Sequence, residues 1–152
     1  MKPQTLIIIK PDAYEKKLTK KIIDRLKMKN TEIVNRFPMR RPSISKLKKH
    51  FIPVSEKHGE LIANKNIEFY KKGPIEVLIL ESKIGIPQEE FISKIRELIG
   101  NINPKNAKKE TIRSWSNDSL EQSTKENRAL KNLIHSSDSI ESFNREKSIW
   151  FN

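Results

Sequence analysis

Two apolar blocks, Leu6-Ile7-Ile8-Ile9 and residues 75–80, constrain the fold of this chain more than any other feature of its sequence. The first is a short β-rich run that Lys10-Pro11-Asp12 stops with a turn signal; the second follows the punctuation of Gly73-Pro74. Both read as strands. From Leu18, the apolar residues Ile22, Ile23 and Leu26 recur at helical spacing and predict an amphipathic helix to about Lys29. Residues 32–39, with Ile33, Val34 and Phe37, predict a second strand, and Pro42-Ser43 opens a short helix carrying Ile44, Leu47 and Phe51. The polar stretch 53–72 reads as a helical hairpin.

Pro87, Glu89 and Glu90 suit a helix first turn, with Phe91, Ile92, Ile95, Leu98 and Ile99 as the buried stripe and Gly100 as terminator. A polar stretch, 101–131, is interrupted by Thr111-Ile112-Arg113 and carries a helical piece around residues 120–130. Leu133-Ile134-His135 is a short strand candidate, and Asp138 with Glu141 forms a capping-box pattern before a last helix that turns Ile140, Phe143 and Trp150 inward. The resulting order is β-α-β-(α, α)-β-α-β-α. It predicts an α+β fold: a ferredoxin-like split βαβ sandwich, with an antiparallel sheet covered by helices on one face. The 152 residues make one domain, spanning 1–152.

Lys and Arg total 31 against 19 Asp plus Glu, a net charge of +12 that favours anionic partners: nucleic acid, acidic membranes or phosphate-bearing small molecules. The same balance also fits a surface merely coated with solvated charge. The apolar runs fall short of the roughly 20 residues a membrane helix needs. Met1-Lys2-Pro3-Gln4 lacks the pattern of a signal peptide, so a cytoplasmic protein with no membrane partner is expected. There is no cysteine, hence no disulfide. With 4 glycines and neither a G-x-x-x-x-G-K-[ST] nor a G-x-G-x-x-G pattern, any phosphate must be held by side-chain cations. The three histidines, His50, His58 and His135, show no zinc-ligand spacing. His50 and His58 read as surface residues. His135 ends an apolar strand and precedes the polar turn Ser136-Ser137-Asp138-Ser139, where backbone on both sides fixes it before an anion site.

The segment Asn132-Leu133-Ile134-His135-Ser136-Ser137-Asp138-Ser139 resembles the nucleoside diphosphate kinase signature N-x-x-H-x-S-D-S. Residues 5–13, ending Lys10-Pro11-Asp12-Ala13, resemble that family's opening strand and K-P-D-G. Thr111-Ile112-Arg113 is similar to its T-I-R, Asn103-Pro104 to its N-P, and Glu146 with Trp150-Phe151 to its closing E-x-x-x-W-F. The matches fall in family order from one end of the chain to the other. The resemblance implies ping-pong transfer of a γ-phosphoryl group from a nucleoside triphosphate to a diphosphate, with Mg²⁺ carried by the nucleotide phosphates and no protein metal site. His135 is then the nucleophile. Lys10, Arg96 and Arg113 hold phosphates, Asn132 contacts the sugar, and Glu146 with Ser137 orients the imidazole. Read without the family, Lys10 is rather a strand-end cation, Arg96 a helix-surface charge and Glu146 a helical i,i+4 partner. The resemblance also implies nucleoside di- and triphosphates as partners and a homo-oligomer, a dimer-based tetramer or hexamer. Nucleic acid is a secondary partner.

Such a set has a chemical logic. Phosphoryl transfer builds charge on the equatorial oxygens, so catalysis is chiefly positioning and cationic stabilisation. The chain departs from the pattern at Phe51, where the family carries a tyrosine hydroxyl, and at Ile102, where a threonine touches phosphate. Each loss removes a hydrogen bond to a charged group, about 1.5–3 kcal/mol, and predicts a weakened enzyme. Ala13 and Ser136 replace family glycines. Residues 53–64 lack the base-stacking phenylalanine, with Leu61 or Ile62 as substitutes, and the interval between Arg113 and Asn132 is longer than usual for the family.

Overall fold

The computed structural model describes residues 2–27 and 30–152. Strands β1 (Gln4–Ile9), β2 (Thr31–Met39), β3 (Ile75–Ser82) and β4 (Ile134–Ser136) form an antiparallel sheet in the order β2-β3-β1-β4. The helices are α1 (Pro11–Glu15), α2 (Thr19–Leu26), α3 (Ile44–His50), α4 (Ile52–His58), α5 (Glu60–Lys71), α6 (Gln88–Ile99), α7 (Leu120–Lys125) and α8 (Ile140–Trp150). This is the α+β sandwich that the element order implies, with one correction: helices cover both faces of the sheet.

The apolar blocks of β1 and β3 show why. Leu6, Ile7, Ile8 and Ile9 are all fully buried, although alternate residues of a strand point to opposite faces. A strand with no polar alternation needs cover on both sides. Ile7, Ile9, Leu78 and Leu80 pack against Ile22 and Leu26 of α2 and Phe91, Ile95 and Ile99 of α6. Leu6, Ile8, Val77 and Ile79 pack against Leu47 of α3, Ala63 and Ile67 of α5, and Phe143 and Trp150 of α8. Burying one such large side chain contributes roughly 1.5–3 kcal/mol. His135, paired opposite Ile8, belongs to this second face.

Local signals placed most boundaries well. α2 ends at Leu26, capped by Lys27, and its expected end near Lys29 falls outside the described residues. α7 stops at Lys125, short of 130, because Asn127 adopts the left-handed conformation (φ 55°). The cap of α8 is Ser139 rather than Asp138: the Ser139 hydroxyl accepts from the Ser142 amide at 3.0 Å, while Asp138 accepts from the Ser142 hydroxyl. Ser at the cap with Ser three residues on moves the start one residue along.

Gly100 ends α6 with φ 99° and ψ −178°, a region open essentially to glycine alone. A Cβ there would sit 2.5 Å from the Thr111 hydroxyl oxygen, and the Gly100 carbonyl accepts from Arg113 at 3.2 Å. Gly100→Ala is therefore expected to cost about 1–3 kcal/mol of stability. Urea denaturation checks this as a lowered midpoint with an unchanged slope.

Candidate active site

Strand register places the first two functional side chains. β4 pairs with β1 so that His135 lies opposite Ile8 and Ile134 opposite Ile9. Lys10 follows two residues after Ile8 and so projects from the same face as His135, its diagonal neighbour. The Lys10 amide donates to the Leu133 carbonyl at 2.9 Å, extending the pairing by one bond. Leu133 itself is left-handed (φ 76°), a costly conformation for a bulky residue. Buried Asp12 holds it there: its Oδ2 accepts from the Leu133 amide at 2.9 Å. The K-P-D turn thus fixes the entry into the histidine strand.

α8 supplies the partner of the imidazole. Glu146 Oε1 lies 2.8 Å from His135 Nε2 and accepts from the Ser137 hydroxyl at 2.7 Å. Burial by itself would raise the Glu146 carboxyl, but the charge and hydrogen bond of His135, with His50 and Ser137, hold it down to about 2. An ionised carboxylate only accepts, so Nε2 of His135 carries a proton and Nδ1 keeps a free lone pair. The His135 side chain is 26% exposed, against 5% for Glu146. The free nitrogen belongs to a ring open to solvent, and its anchor is sealed.

His50 is not a surface residue, contrary to the sequence reading. It is buried, 4.7 Å ring to ring from His135, and its Nδ1 accepts from the Trp150 indole at 3.2 Å. An indole N–H can only donate, so neutral His50 carries its proton on Nε2. Burial, then the charges of His135 and Arg145 against the opposing Glu146, push His50 down to about 3 and keep it neutral. The missed signal was spacing: Leu47, His50 and Phe51 share one face of a helix.

The cations come from separate elements. Lys10 Nζ donates to Asn132 Oδ1 at 2.8 Å and to the Leu130 carbonyl at 2.9 Å. With three protons and two partners, it keeps one donor free. Burial lowers Lys10 to about 8, with Asp12 opposing and Arg113 assisting. Arg113 donates to the Ile134 carbonyl at 2.8 Å, next to His135, while its Nε is closed to solvent with no partner among the described residues. Burial brings Arg113 down to about 10, with Tyr70 opposing and Arg96 assisting, so it stays charged. Arg96 is exposed, on the last turn of α6. Asn132 is buried, and besides receiving Lys10 it donates to the Ile102 carbonyl at 2.9 Å. Ile102 is therefore part of the site through its backbone; its side chain is 65% exposed. Phe51 is buried, edge-on to Tyr70 with centroids 5.0 Å apart.

The long interval after Arg113 is a built structure. Arg128 grips Asp118 through both terminal nitrogens at 2.8 and 2.9 Å, and Ser116 donates to the Lys131 carbonyl at 2.6 Å. Asn103 accepts from the Leu120 amide and donates to Glu121, tying α7 down. The result presents the Leu130 carbonyl to Lys10. Between this segment and α5 lies a cavity of about 460 Å³, lined by Pro11, Leu61, Asn64, Phe69 and Ala129 among others. Among the described residues, His50, His135 and Glu146 each offer a ligand atom, all within 4.8 Å of one another. Two nitrogens and one carboxylate suit a borderline ion such as zinc, not Mg²⁺, which takes oxygen ligands.

Comparison with known proteins gives one consistent answer. A profile of the nucleoside diphosphate kinase family matches residues 3–152. A nucleoside diphosphate kinase of Helicobacter pylori (strain P12) is 37% identical over 153 residues, covering 99% of this chain and 96% of its own. One from Streptococcus agalactiae serotype III (strain NEM316) is 30% identical over 149 residues, covering 98% of each. Among solved structures, a transition-state mimic of the Borrelia burgdorferi nucleoside-diphosphate kinase with bound vanadate and ADP superposes with a TM-score of 0.88 at 28% identity, covering 98% of this chain and 86% of that one. An NDP kinase from Pyrobaculum aerophilum gives 0.83 at 25% identity, covering 100% and 97%.

Proposed function

This chain belongs to the nucleoside diphosphate kinase family, and on that premise we propose that it carries the phosphoryl group on Nδ1 of His135. Its activity is phosphotransfer between nucleotides. The observation that carries the histidine assignment is the 2.8 Å contact of His135 Nε2 with a buried, ionised Glu146, which leaves Nδ1 as the free lone pair.

In the first half-reaction Nδ1 attacks the γ-phosphorus of a nucleoside triphosphate. The P–N bond forms as the bond to the bridging oxygen breaks, and the diphosphate leaves with that electron pair. Glu146 stabilises the positive imidazole as it forms, while Lys10 and Arg113 face the charge spreading over the phosphoryl oxygens. A terminal oxygen of the second diphosphate then attacks phosphorus, and the electron pair returns to Nδ1. Ser137 and His50 fix Glu146 and the ring without taking a proton. Asn132 holds Lys10 in place and offers its remaining amide proton towards the sugar.

Members of the family use a divalent metal. The groups around Lys10 and Arg113 are cations that do not suit a bare Mg²⁺; a magnesium ion would be carried by the nucleotide and would offset the charge of its phosphates. The nucleoside extends into the cavity beside Leu61 and Ala129. The chain, residues 1–152, is proposed to work as one domain in the cytoplasm. Among the described residues no helix is long and apolar enough to cross a membrane. A dimer-based tetramer or hexamer is supported by the edge position of β2, which leaves Val34 and Phe37 each 40% exposed.

The pH profile follows from Lys10. Below about 8 it is charged and ready for phosphate; above, it loses its proton in the free enzyme. kcat/KM is expected to fall tenfold per pH unit above about 8, whereas kcat holds to higher pH, because bound phosphate raises the lysine again. A pH series of both constants checks this. The ping-pong scheme is tested by initial rates with ATP and GDP varied together: parallel double-reciprocal lines are expected, and intersecting lines contradict a covalent intermediate.

A further inference from the structure

Tyr70 is a buried polar side chain that the mechanism above does not use. It is 3% exposed, and its hydroxyl has no hydrogen-bond partner among the described residues. Among the described residues, Thr5 Oγ1, Asp12 Oδ1 and Arg113 Nε are side-chain atoms closed to solvent and without a partner; the Tyr70 oxygen is not one of them. It therefore keeps a narrow opening to solvent-accessible space. Leaving a buried hydroxyl unpaired is costly, so such a group invites a ligand.

Its surroundings identify the ligand. The Lys10 ammonium lies 5.7 Å from the Tyr70 ring centre, the His50 ring at 6.4 Å and the Phe51 ring at 5.0 Å. Arg113, Asp12 and Glu146 are its charged neighbours. Burial, with Asp12 and Glu146 against Arg113, pushes the phenol well above its ordinary range, so it remains a donor. A phenol donor with an ammonium over its ring and a guanidinium among its charged neighbours suits an anion. Phe51, edge-on to the same ring, offers no hydroxyl, and α5 brings Tyr70 inward because Ala63, Ile67 and Tyr70 lie on one helical face.

We propose that the Tyr70 hydroxyl donates to a phosphate oxygen of the bound nucleotide beside Lys10 and Arg113, supplying from α5 the contact that Phe51 cannot make. This rests on the phosphotransfer reading and deepens it: within the Phe51–Tyr70 pair, the hydroxyl stands on α5.

The test is Tyr70→Phe, which deletes one oxygen, with ADP and adenosine as paired probes by calorimetry and ATP–GDP exchange as the kinetic readout. ADP affinity, kcat/KM or both are expected to drop about tenfold to a hundredfold, the scale of one hydrogen bond to a charged group. Adenosine affinity stays unchanged, since it has no phosphate. Phe51→Tyr in the Tyr70→Phe background then recovers at least part of the loss. Unchanged ADP affinity and exchange would overturn the proposal. So would an equal loss for ADP and adenosine, which marks a structural ring whose hydroxyl serves the fold, for example through the free Asp12 oxygen. Absence of exchange in the wild-type protein would instead refute the phosphotransfer reading itself.

Discussion

His135→Ala is expected to lower the exchange of phosphate between ATP and GDP by at least about ten-thousandfold, the scale of losing a covalent nucleophile. Lys10, Arg113 and the cavity remain, so ADP binding changes by no more than a few-fold. The fold also survives, because the His135 ring is part-exposed at the short edge strand β4 and is no part of either apolar cluster. Glu146 keeps the Ser137 hydroxyl at 2.7 Å and Arg145 at 3.4 Å, so the substitution does not strand a buried charge. Stopped turnover with preserved binding and an unchanged urea midpoint separates loss of chemistry from loss of structure. A variant that bound ADP poorly would mean the ring holds substrate rather than attacks it.

Lys10→Gln is expected to lower kcat/KM about a hundredfold to a thousandfold, as for removal of one aligned donor from a developing anion. Glutamine keeps an amide that can reach Asn132 or Leu130, so the change removes charge more than architecture. The decline above pH 8 should vanish with it, because the group that titrates is gone. Arg96→Gln makes a useful contrast. That guanidinium is exposed and screened, and its loss should cost only a few-fold. Equal effects at the two positions would contradict the ranking of the cations by burial.

Sequence made the candidate site legible where local chemistry dictated it. The β-rich block ending at Lys10-Pro11-Asp12 defines β1 and its turn, and the register of β1 with β4 follows once both strands exist. In the structure His135 and Ser137 both meet Glu146, Lys10 meets Asn132, and Arg113 reaches the Ile134 carbonyl next to His135. What escaped was the second cover of the sheet. The polar helices α3, α4 and α5 carry few apolar residues, so His50 and Tyr70 were not recognised as inward until long-range packing against Trp150 and Phe51 fixed them. Asp12 was passed over as part of a turn because its partner, the Leu133 amide, lies 121 residues away. The segment after Arg113 was equally opaque: its order depends on contacts such as the Arg128–Asp118 ion pair and Asn103 reaching across to α7.

One measurement tests the histidine assignment most directly. Brief incubation with γ-labelled ATP and Mg²⁺, followed by peptide mapping under alkaline conditions, should place an acid-labile phosphate on residue 135, and GDP should discharge it as labelled GTP at least as fast as the enzyme turns over. Phosphate on any other residue, or continued exchange by a folded protein that never becomes labelled, would contradict transfer through the His135 imidazole.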